Sequence, residues 1–311
     1  MEHGAHNKIV NFIWSIADDC LRDVFVRGKY RDVILPMFVL RRLDCLLEPT
    51  KQAILDEVKF QRNDADLAEL DPDGLRQVSG YVFYNTSQFT LKSLLGNPSQ
   101  LEQNFKSYLD GFSFNVKEII QNFDLYSQIR KMAASDVLFD VIEKYISEEI
   151  NLSPNDVKKP DGRILSGLTN LGMGYVFEEL IRKFNEENNE EAGEHFTPRE
   201  VIKLMTHILF DPVKDKLPPV LTIYDPACGS GGMLTETQNF IIDPEGGIKS
   251  KADVYLYGKE SQPETFAICK SDMMIKGNNP ENIRLGSTLA TDEFSSMKFD
   301  FMLSNPPYGK S

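Results

Sequence analysis

The residues best suited to chemistry are four in a row near the end of the chain: Asn305, Pro306, Pro307 and Tyr308. They follow an apolar run, 299–303, that is predicted to be a strand, and the two prolines end strand pairing in a rigid, extended turn. The Asn305 side-chain oxygen and the Pro306 carbonyl can accept both hydrogens of an –NH2 group, and Tyr308 offers a face for stacking a planar base. This arrangement orients the nitrogen lone pair without a strong base, which suits methylation of an amine.

A second candidate site is a glycine-rich turn between a predicted strand at 220–224 and a predicted helix at 233–242. Glycines let the backbone approach a ligand closely, with the amides of the helix N-terminus pointing at it. The spacing differs from the G-x-G-x-x-G pattern, whose third glycine would fall at Leu234, so nicotinamide cofactors are disfavoured and a cofactor without phosphate is favoured. The residues predicted to bind it are Asp225, Ala227, Gly229, Ser230 and Gly231.

An acidic residue, Glu260, follows the predicted second strand at 254–258. A carboxylate at the tip of the second strand of such a sheet is placed to accept hydrogen bonds from both ribose hydroxyls. A surface glutamate would by itself explain the residue equally well. Its pairing with the glycine-rich turn favours the binding role.

The segment 193–200 predicts the start of a helix. Thr197 and Glu200 have the spacing of a capping box, and Pro198 suits the first helical position, so a helix is predicted from 198 to 210. On the structural interpretation, these residues only cap a helix. On the functional interpretation, the helix N-terminus also binds the carboxylate of an amino-acid moiety. The sequence pattern alone supports the two interpretations equally. The candidate residues are Glu194, His195, Phe196, Thr197 and Pro198.

The elements around these candidates predict two domains. From residue 193, strands at 220–224, 254–258, 283–285 and 299–303 alternate with helices at 233–242 and 263–276, which predicts a parallel sheet covered on both faces. Residues 1–155 are predicted to be mostly helical; one apolar stripe runs from Val33 to Leu47, with Arg41, Arg42 and Asp44 on the opposite side. The polar, proline-containing segment 151–163 is predicted to connect domains at 1–155 and 156–311.

Composition limits the classes of function. No apolar run approaches the ~20 residues of a membrane span, and the N-terminus has no secretory pattern, so we expect a soluble, cytoplasmic protein without membrane contact. The four cysteines form no C-x-x-C pair and have no histidine at metal-ligand spacing, which argues against zinc and against a disulfide framework. The net charge of −13 would repel a phosphate backbone. If the substrate is DNA, a partner subunit must make many of the contacts that bind it.

Together these features resemble the modification (methyltransferase) subunit of type I restriction–modification systems, over almost the whole chain. The helix predicted at 168–185, with the sequence GMGYVFEELIRKF at 172–184, looks like that family's helix before the cofactor domain. Residues 193–198 are similar to its motif X, 225–234 to motif I and 305–308 to motif IV. That order is typical of the gamma class of amino-methyltransferases.

The resemblance implies a helical N-terminal domain followed by an α/β Rossmann-like domain that depends on S-adenosylmethionine. It implies methyl transfer to the exocyclic N6 amine of adenine in DNA, with the base flipped out of the duplex. It also implies partners: two modification subunits act with one specificity subunit, which reads the DNA sequence, and a separate restriction subunit completes the complex. Residues 305–308 are then catalytic, and motif X, the glycine-rich turn and Glu260 bind the cofactor.

Two departures from the family pattern matter. Many methyltransferases place an acidic residue after the third strand, near the adenine of the cofactor, whereas here Gly286 is followed by Ser287, whose hydroxyl becomes the candidate contact. The chain also ends three residues after Tyr308, where the family continues with further strands. We therefore expect a sheet truncated after its fourth strand, with an open edge.

Two alternatives remain open. Methyltransferases of glutamine side chains in proteins also use Asn-Pro-Pro-Tyr after a small helical domain, although 193–198 and 168–184 favour the restriction–modification family. A chain that lacks the second half of its sheet is alternatively a non-catalytic interaction module, which binds the cofactor weakly or not at all.

Overall fold

The computed structural model describes residues 2–187, 197–243 and 246–306 of the chain. Contacts between residues divide the chain into two units, Met1–Asn188 and Asn189–Ser311. None of the helices in the described ranges is both long and apolar enough to cross a bilayer.

The first unit is built from helices and one short hairpin. In chain order the helices are α1 (Glu2–Ile16), α2 (Arg31–Leu47), α3 (Lys51–Lys59), α4 (Pro72–Ser79), α5 (Leu91–Leu94), α6 (Leu101–Asp110), α7 (Phe114–Asn122), α8 (Leu125–Ala134), α9 (Leu138–Ile146) and α10 (Asn170–Glu187). The hairpin pairs β1 (Val157–Lys158) antiparallel with β2 (Ile164–Leu165). The helical character predicted for the N-terminal region is confirmed.

Helix α2 is buried on nearly all sides, including the side on which its charged residues were predicted. Arg42 is fully buried and donates hydrogen bonds to the Leu152 carbonyl oxygen at 2.6 Å and to Oδ1 of Asn170 at 3.0 Å. The Asp44 carboxylate is also buried and accepts from the Tyr108 hydroxyl at 3.0 Å. The prediction of an outer polar side was therefore wrong for these two residues. Their partners lie far away in the sequence, where helical spacing gives no information.

The predicted helix at 168–185 corresponds to α10, which packs within the first unit. The Trp14 and Phe184 rings, on α1 and α10, have centroids 4.8 Å apart, and Phe38 of α2 stacks on Phe177 at 6.0 Å. Aromatic pairs of this kind contribute about 0.5–1.5 kcal/mol beyond the area that they bury. Helix α10 is therefore anchored to the helices before it.

The second unit is an α/β fold around four parallel strands. Its elements are α11 (Arg199–Phe210), β3 (Val220–Asp225), α12 (Gly232–Ile242), β4 (Asp253–Glu260), α13 (Pro263–Ile275), β5 (Ile283–Leu285) and β6 (Phe301–Met302). The strand order is β5-β4-β3-β6, and each neighbouring pair is parallel. The chain thus moves outward from β3 to β5 and returns to the other side of β3. Ligands of open α/β sheets bind at such a reversal, outside the carboxyl ends of the strands.

Helices cover one face of this sheet. The core on that face joins side chains of the strands and of α11, α12 and α13: Leu221, Ile223, Leu256, Phe210, Leu234 and Phe266. On the other face Tyr255 is 48% exposed, and four aromatic rings contact one another: Tyr224, Tyr257, Phe294 and Phe299. The cover expected on both faces is therefore, among the described residues, helical on one face and an aromatic cluster on the other.

Candidate active site

A cavity of about 460 Å³ opens at the carboxyl ends of the parallel strands. The register sets Asp225 beside Gly258 and Gly258 beside Ile283, so the segments that follow β3, β4 and β5 are neighbours. The volume falls within the roughly 300–1,000 Å³ of small-molecule sites. The predicted site residues that line this cavity are Thr197, Asp225, Ala227, Gly229, Ser230, Glu260, Ser287, Asn305 and Pro306.

The glycine-rich turn connects β3 to α12 and needs glycine at two positions. Gly229 and Gly231 have φ angles of +54° and +87°, a backbone conformation that favours glycine. A Cβ atom on Gly231 would lie 2.8 Å from the Cys269 Sγ atom. Gly229 lines the cavity, whereas Gly231 is behind the turn and allows α13 to pack closely against it.

Asp225 ends β3 as a buried carboxyl group beside the cavity. Burial raises the pKa of Asp225 to about 6, although the hydrogen bond from the Ala227 amide lowers it in part. The Ala227 amide donates to Asp225 Oδ1 at 3.0 Å. A buried carboxyl with a raised pKa in a cleft is a typical functional-site feature.

The Glu260 carboxylate holds the glycine-rich turn in place. Its Oε2 atom accepts a hydrogen bond from the Gly229 amide at 3.1 Å, and its Oε1 atom accepts from the Gln262 amide at 2.7 Å. The Ser261 hydroxyl also donates to Oε1, at 3.4 Å. A carboxylate can accept about four hydrogen bonds, so about one position remains for a ligand hydroxyl.

A hydrogen bond connects motif X to motif IV. The Asn305 side-chain nitrogen donates to the Thr197 hydroxyl oxygen at 3.2 Å. The capping box predicted for Thr197 was wrong: α11 begins at Arg199, its N-cap is Pro198, and no side chain of the described residues caps it. The Thr197 hydroxyl bonds to a residue after β6 instead. With its nitrogen engaged in this way, the Asn305 amide presents its oxygen as an acceptor that no donor of the described residues occupies.

The side chains around the cavity favour a ligand with hydroxyls and positive charge over one with phosphates. Two of them, Asp225 and Glu260, are acidic. Among the described residues that line the cavity, Lys259 is the basic one, and its ammonium group bonds to Thr291 and Glu293. It is therefore not available as a phosphate anchor.

Two protein-family models match this chain. The HsdM N-terminal domain matches residues 9–145, and the N-6 DNA Methylase domain matches residues 170–311. The chain belongs to the type I methylase subunit family. The domain boundary expected at residue 155 falls between the two matched ranges and stays a prediction.

Named relatives agree with this assignment. The methylase subunit of the type I restriction enzyme MjaIX from Methanocaldococcus jannaschii is 26% identical over 312 residues, which cover 97% of this chain and 51% of that protein. The EcoKI methylase subunit from Escherichia coli is 30% identical over 152 residues, covering 45% of this chain and 28% of that protein. The chain spans about half the length of the MjaIX relative.

The fold is that of a solved methyltransferase subunit of a type I restriction–modification system from Streptococcus thermophilus. The two structures agree with a TM-score of 0.64 at 24% identity, over 98% of this chain and 64% of that one. The predicted fold class, a helical domain before a Rossmann-like domain, is thereby confirmed.

Five of the residues predicted for the site of this methylase subunit lie outside the described residues: Glu194, His195, Phe196, Pro307 and Tyr308. Their roles stay predictions. The structure brings Thr197, the glycine-rich turn and the segments after β4, β5 and β6 to one cavity.

Sequence reasoning missed Lys259 and Thr288, which also line the cavity. The Thr288 hydroxyl donates to the Pro226 carbonyl oxygen and so connects the segment after β5 to the glycine-rich turn. A lysine directly before the predicted ribose-binding acid was the available signal for Lys259. Thr288 carried no signal, because its partner is 62 positions away.

Proposed function

We propose that this methylase subunit is part of an adenine-specific DNA methyltransferase that transfers a methyl group from S-adenosylmethionine to the N6 amine of adenine. The observation that supports this most directly is the Asn305–Thr197 hydrogen bond beside the cavity at the strand reversal. It leaves the Asn305 amide oxygen as an acceptor in the position where an amine substrate would meet the cofactor.

The lining residues fit the proposed cofactor. The Glu260 carboxylate has an acceptor position left for a ribose hydroxyl, and the turn from Ala227 to Ser230 presents backbone to the ligand. The Ser287 hydroxyl lies in the wall formed after β5, where it can contact the adenine. The motif X residues would hold the amino-acid end. When bound, S-adenosylmethionine supplies an electrophilic methyl group.

The proposed chemistry is mainly orientation of the target amine. The Asn305 oxygen and the Pro306 carbonyl accept its two hydrogens, so the nitrogen lone pair points toward the methyl group. Tyr308 would stack on the flipped base and offset part of the few kcal/mol that flipping costs. The bond from the methyl group to the cofactor sulfur would break as the bond to nitrogen forms, and the neutral thioether would leave. The methylated amine would then release a proton to solvent, so no strong base is needed before attack.

The charge of the chain supports DNA binding by partner subunits rather than by this chain alone. A net charge of −13 opposes binding to DNA by this chain alone. We therefore propose that two copies of the modification subunit act with a specificity subunit that contacts the DNA, and that a restriction subunit joins them in the full complex.

A methyl-transfer assay on the assembled modification complex tests this function. The complex is incubated with labelled S-adenosylmethionine and unmethylated DNA, and the DNA is hydrolysed to identify the labelled base. We expect N6-methyladenine, and no label in a protein release factor offered in parallel.

Two results would overturn the proposal. Label in the release factor and none in DNA would indicate the glutamine methyltransferase. No label in either substrate, with no heat on titration of the complex with S-adenosylmethionine, would indicate the interaction module.

A further inference from the structure

Lys259 is a buried lysine in the wall of the cavity that the proposed mechanism does not use. It lies in β4 directly before Glu260, and its side chain is 1% exposed. An ammonium group with so little access to water needs a partner for each donor, because a buried unpaired charge is strongly unfavourable. Where those partners lie therefore indicates what Lys259 holds in place.

All three donors of Lys259 bond to one segment, residues 286–293, which follows β5. The Nζ atom donates to the Thr291 carbonyl oxygen, to Thr291 Oγ1 at 2.9 Å and to Glu293 Oε2. The Thr291 hydroxyl in turn contacts Glu293 Oε1 at 2.9 Å. The hydrogen bond from the Lys259 ammonium lowers the pKa of Glu293 to about 2, so the Glu293 carboxylate stays ionised throughout the neutral range.

The same segment is attached at its other end. The Gly286 amide donates to the Glu260 carbonyl oxygen at 2.8 Å, and the Thr288 hydroxyl donates to the Pro226 carbonyl oxygen. Ser287, Thr288 and Leu289 lie between Gly286 and the Lys259 network, and all three line the cavity. Leu289 is 99% exposed. A fully exposed leucine in a cavity wall gains by covering an apolar part of a ligand.

We infer that Lys259 is a positioning residue for the cofactor: its ion pair with Glu293 holds residues 286–293 as a preformed wall against which the nucleoside binds. A wall that is ordered before the ligand binds avoids the entropy cost of ordering it during binding. Loss of the ion pair should therefore weaken the affinity for the ligand. The identity of the ligand rests on the proposed function. The ordering of residues 286–293 by the Lys259–Glu293 ion pair does not. Lys259 touches no reacting atom.

The test compares Lys259→Met and Glu293→Gln with a matched control, Lys276→Met, in the assembled modification complex. Lys276 also has a largely buried side chain, and it donates to Asp272 Oδ2 and Thr235 Oγ1, at 2.9 Å each, away from the cavity. The first readout is hydrogen exchange without cofactor at the Ala290 and Thr291 amides, which both donate to the Ser287 carbonyl at 3.1 Å. The second is the Kd for S-adenosylmethionine, with KM and kcat.

We expect exchange at these two amides to become about tenfold faster or more in K259M and E293Q, and the Kd and KM to rise about tenfold with kcat within about twofold. K276M should lower Tm and leave all of these values unchanged. The double variant K259M/E293Q should bind no worse than either single variant, because the two residues act through one contact. Thr291→Val, on an exposed part of the segment, replaces K259M if that variant does not fold.

Unchanged exchange at both amides in a folded variant overturns the inference, as does a fall in kcat with an unchanged KM. If the unmodified complex binds no S-adenosylmethionine, the proposed function fails. The exchange measurements on the cofactor-free complex still decide whether Lys259 fastens the wall.

Discussion

The side-chain nitrogen of Asn305 donates to the hydroxyl oxygen of Thr197 across 108 positions of the chain, at 3.2 Å. Asn305 follows the last strand at the carboxyl edge of the sheet, and Thr197 precedes α11. This bond fixes which end of the Asn305 amide can accept a hydrogen bond. The orientation of the proposed catalytic acceptor therefore depends on a residue that sequence spacing had predicted to cap a helix.

Thr197→Val should reduce kcat because the Asn305 amide loses the partner that fixes its orientation. We expect a loss of about fivefold to tenfold, as for one orienting hydrogen bond of about 1 kcal/mol. Single-turnover methylation by the assembled complex measures it. Thr197→Ser keeps the hydroxyl and should recover most of the rate. Equal rates for the Val and Ser variants would show that the hydroxyl has no orienting role.

Asn305→Ala should remove the side-chain acceptor itself and lower kcat much further. Loss of one preorganised polar contact to the reacting group typically costs about 100-fold to 1,000-fold. Because Asn305 is not assigned to the cofactor, the Kd for S-adenosylmethionine should change by less than about threefold. Calorimetric titration and rate measurements on the same preparation check both values. An active Asn305→Ala enzyme would remove Asn305 from the mechanism.

Asp225→Asn should change how stability depends on pH. Burial raises the pKa of Asp225 to about 6, above the 3.8 of an unperturbed aspartate, so the folded chain holds this proton more tightly than the unfolded chain. The stability that Asp225 contributes is complete below about pH 4 and falls by up to about 3 kcal/mol as the pH rises to about 6 and above. The Asn variant cannot ionise and should lack this loss.

Urea unfolding between pH 4 and pH 8 measures the difference between wild type and Asp225→Asn. The gap in unfolding free energy should open in favour of the variant as pH rises through the range from about 4 to about 6. Asp253→Asn, an exposed residue at the opposite end of the sheet, is the control and should follow the wild-type profile. A constant gap at all pH values would contradict a raised pKa at Asp225.

Gly231→Ala should destabilise the second unit, because its backbone conformation and its surroundings both exclude a side chain. The φ angle is +87°, and the new Cβ would lie 2.8 Å from Cys269 Sγ and 3.1 Å from Met273 Cε. Strain and overpacking together should cost about 2–4 kcal/mol. Gly232→Ala is the matched control, since its added Cβ meets no atom within 4 Å beyond its chain neighbours and its own helix backbone. Thermal unfolding of the two variants should separate them clearly, and a similar Tm would refute the packing argument.

Local patterns in the sequence were sufficient for the elements of the second unit. The strand at 283–285 was predicted with its observed bounds, and Glu260 was correctly placed at the end of the second strand. The bounds of a strand or helix can be predicted from apolar periodicity, proline and glycine within a few positions. Each of these features acts on the backbone geometry or burial of nearby residues. The glycine-rich turn is of the same kind, since a positive φ selects glycine at the position itself.

The tertiary structure decided which partners the polar groups have. Arg42 and Asp44 are buried in α2, Thr197 bonds to Asn305 and not to its own helix, and Lys259 fastens a segment that follows another strand. A donor or acceptor can be satisfied by any group that the fold brings near, and the sequence records no such distances. The sequence by itself therefore determined the order of the elements and the kind of chemistry. Only the packing of those elements decided how the groups that would carry out that chemistry are held in place.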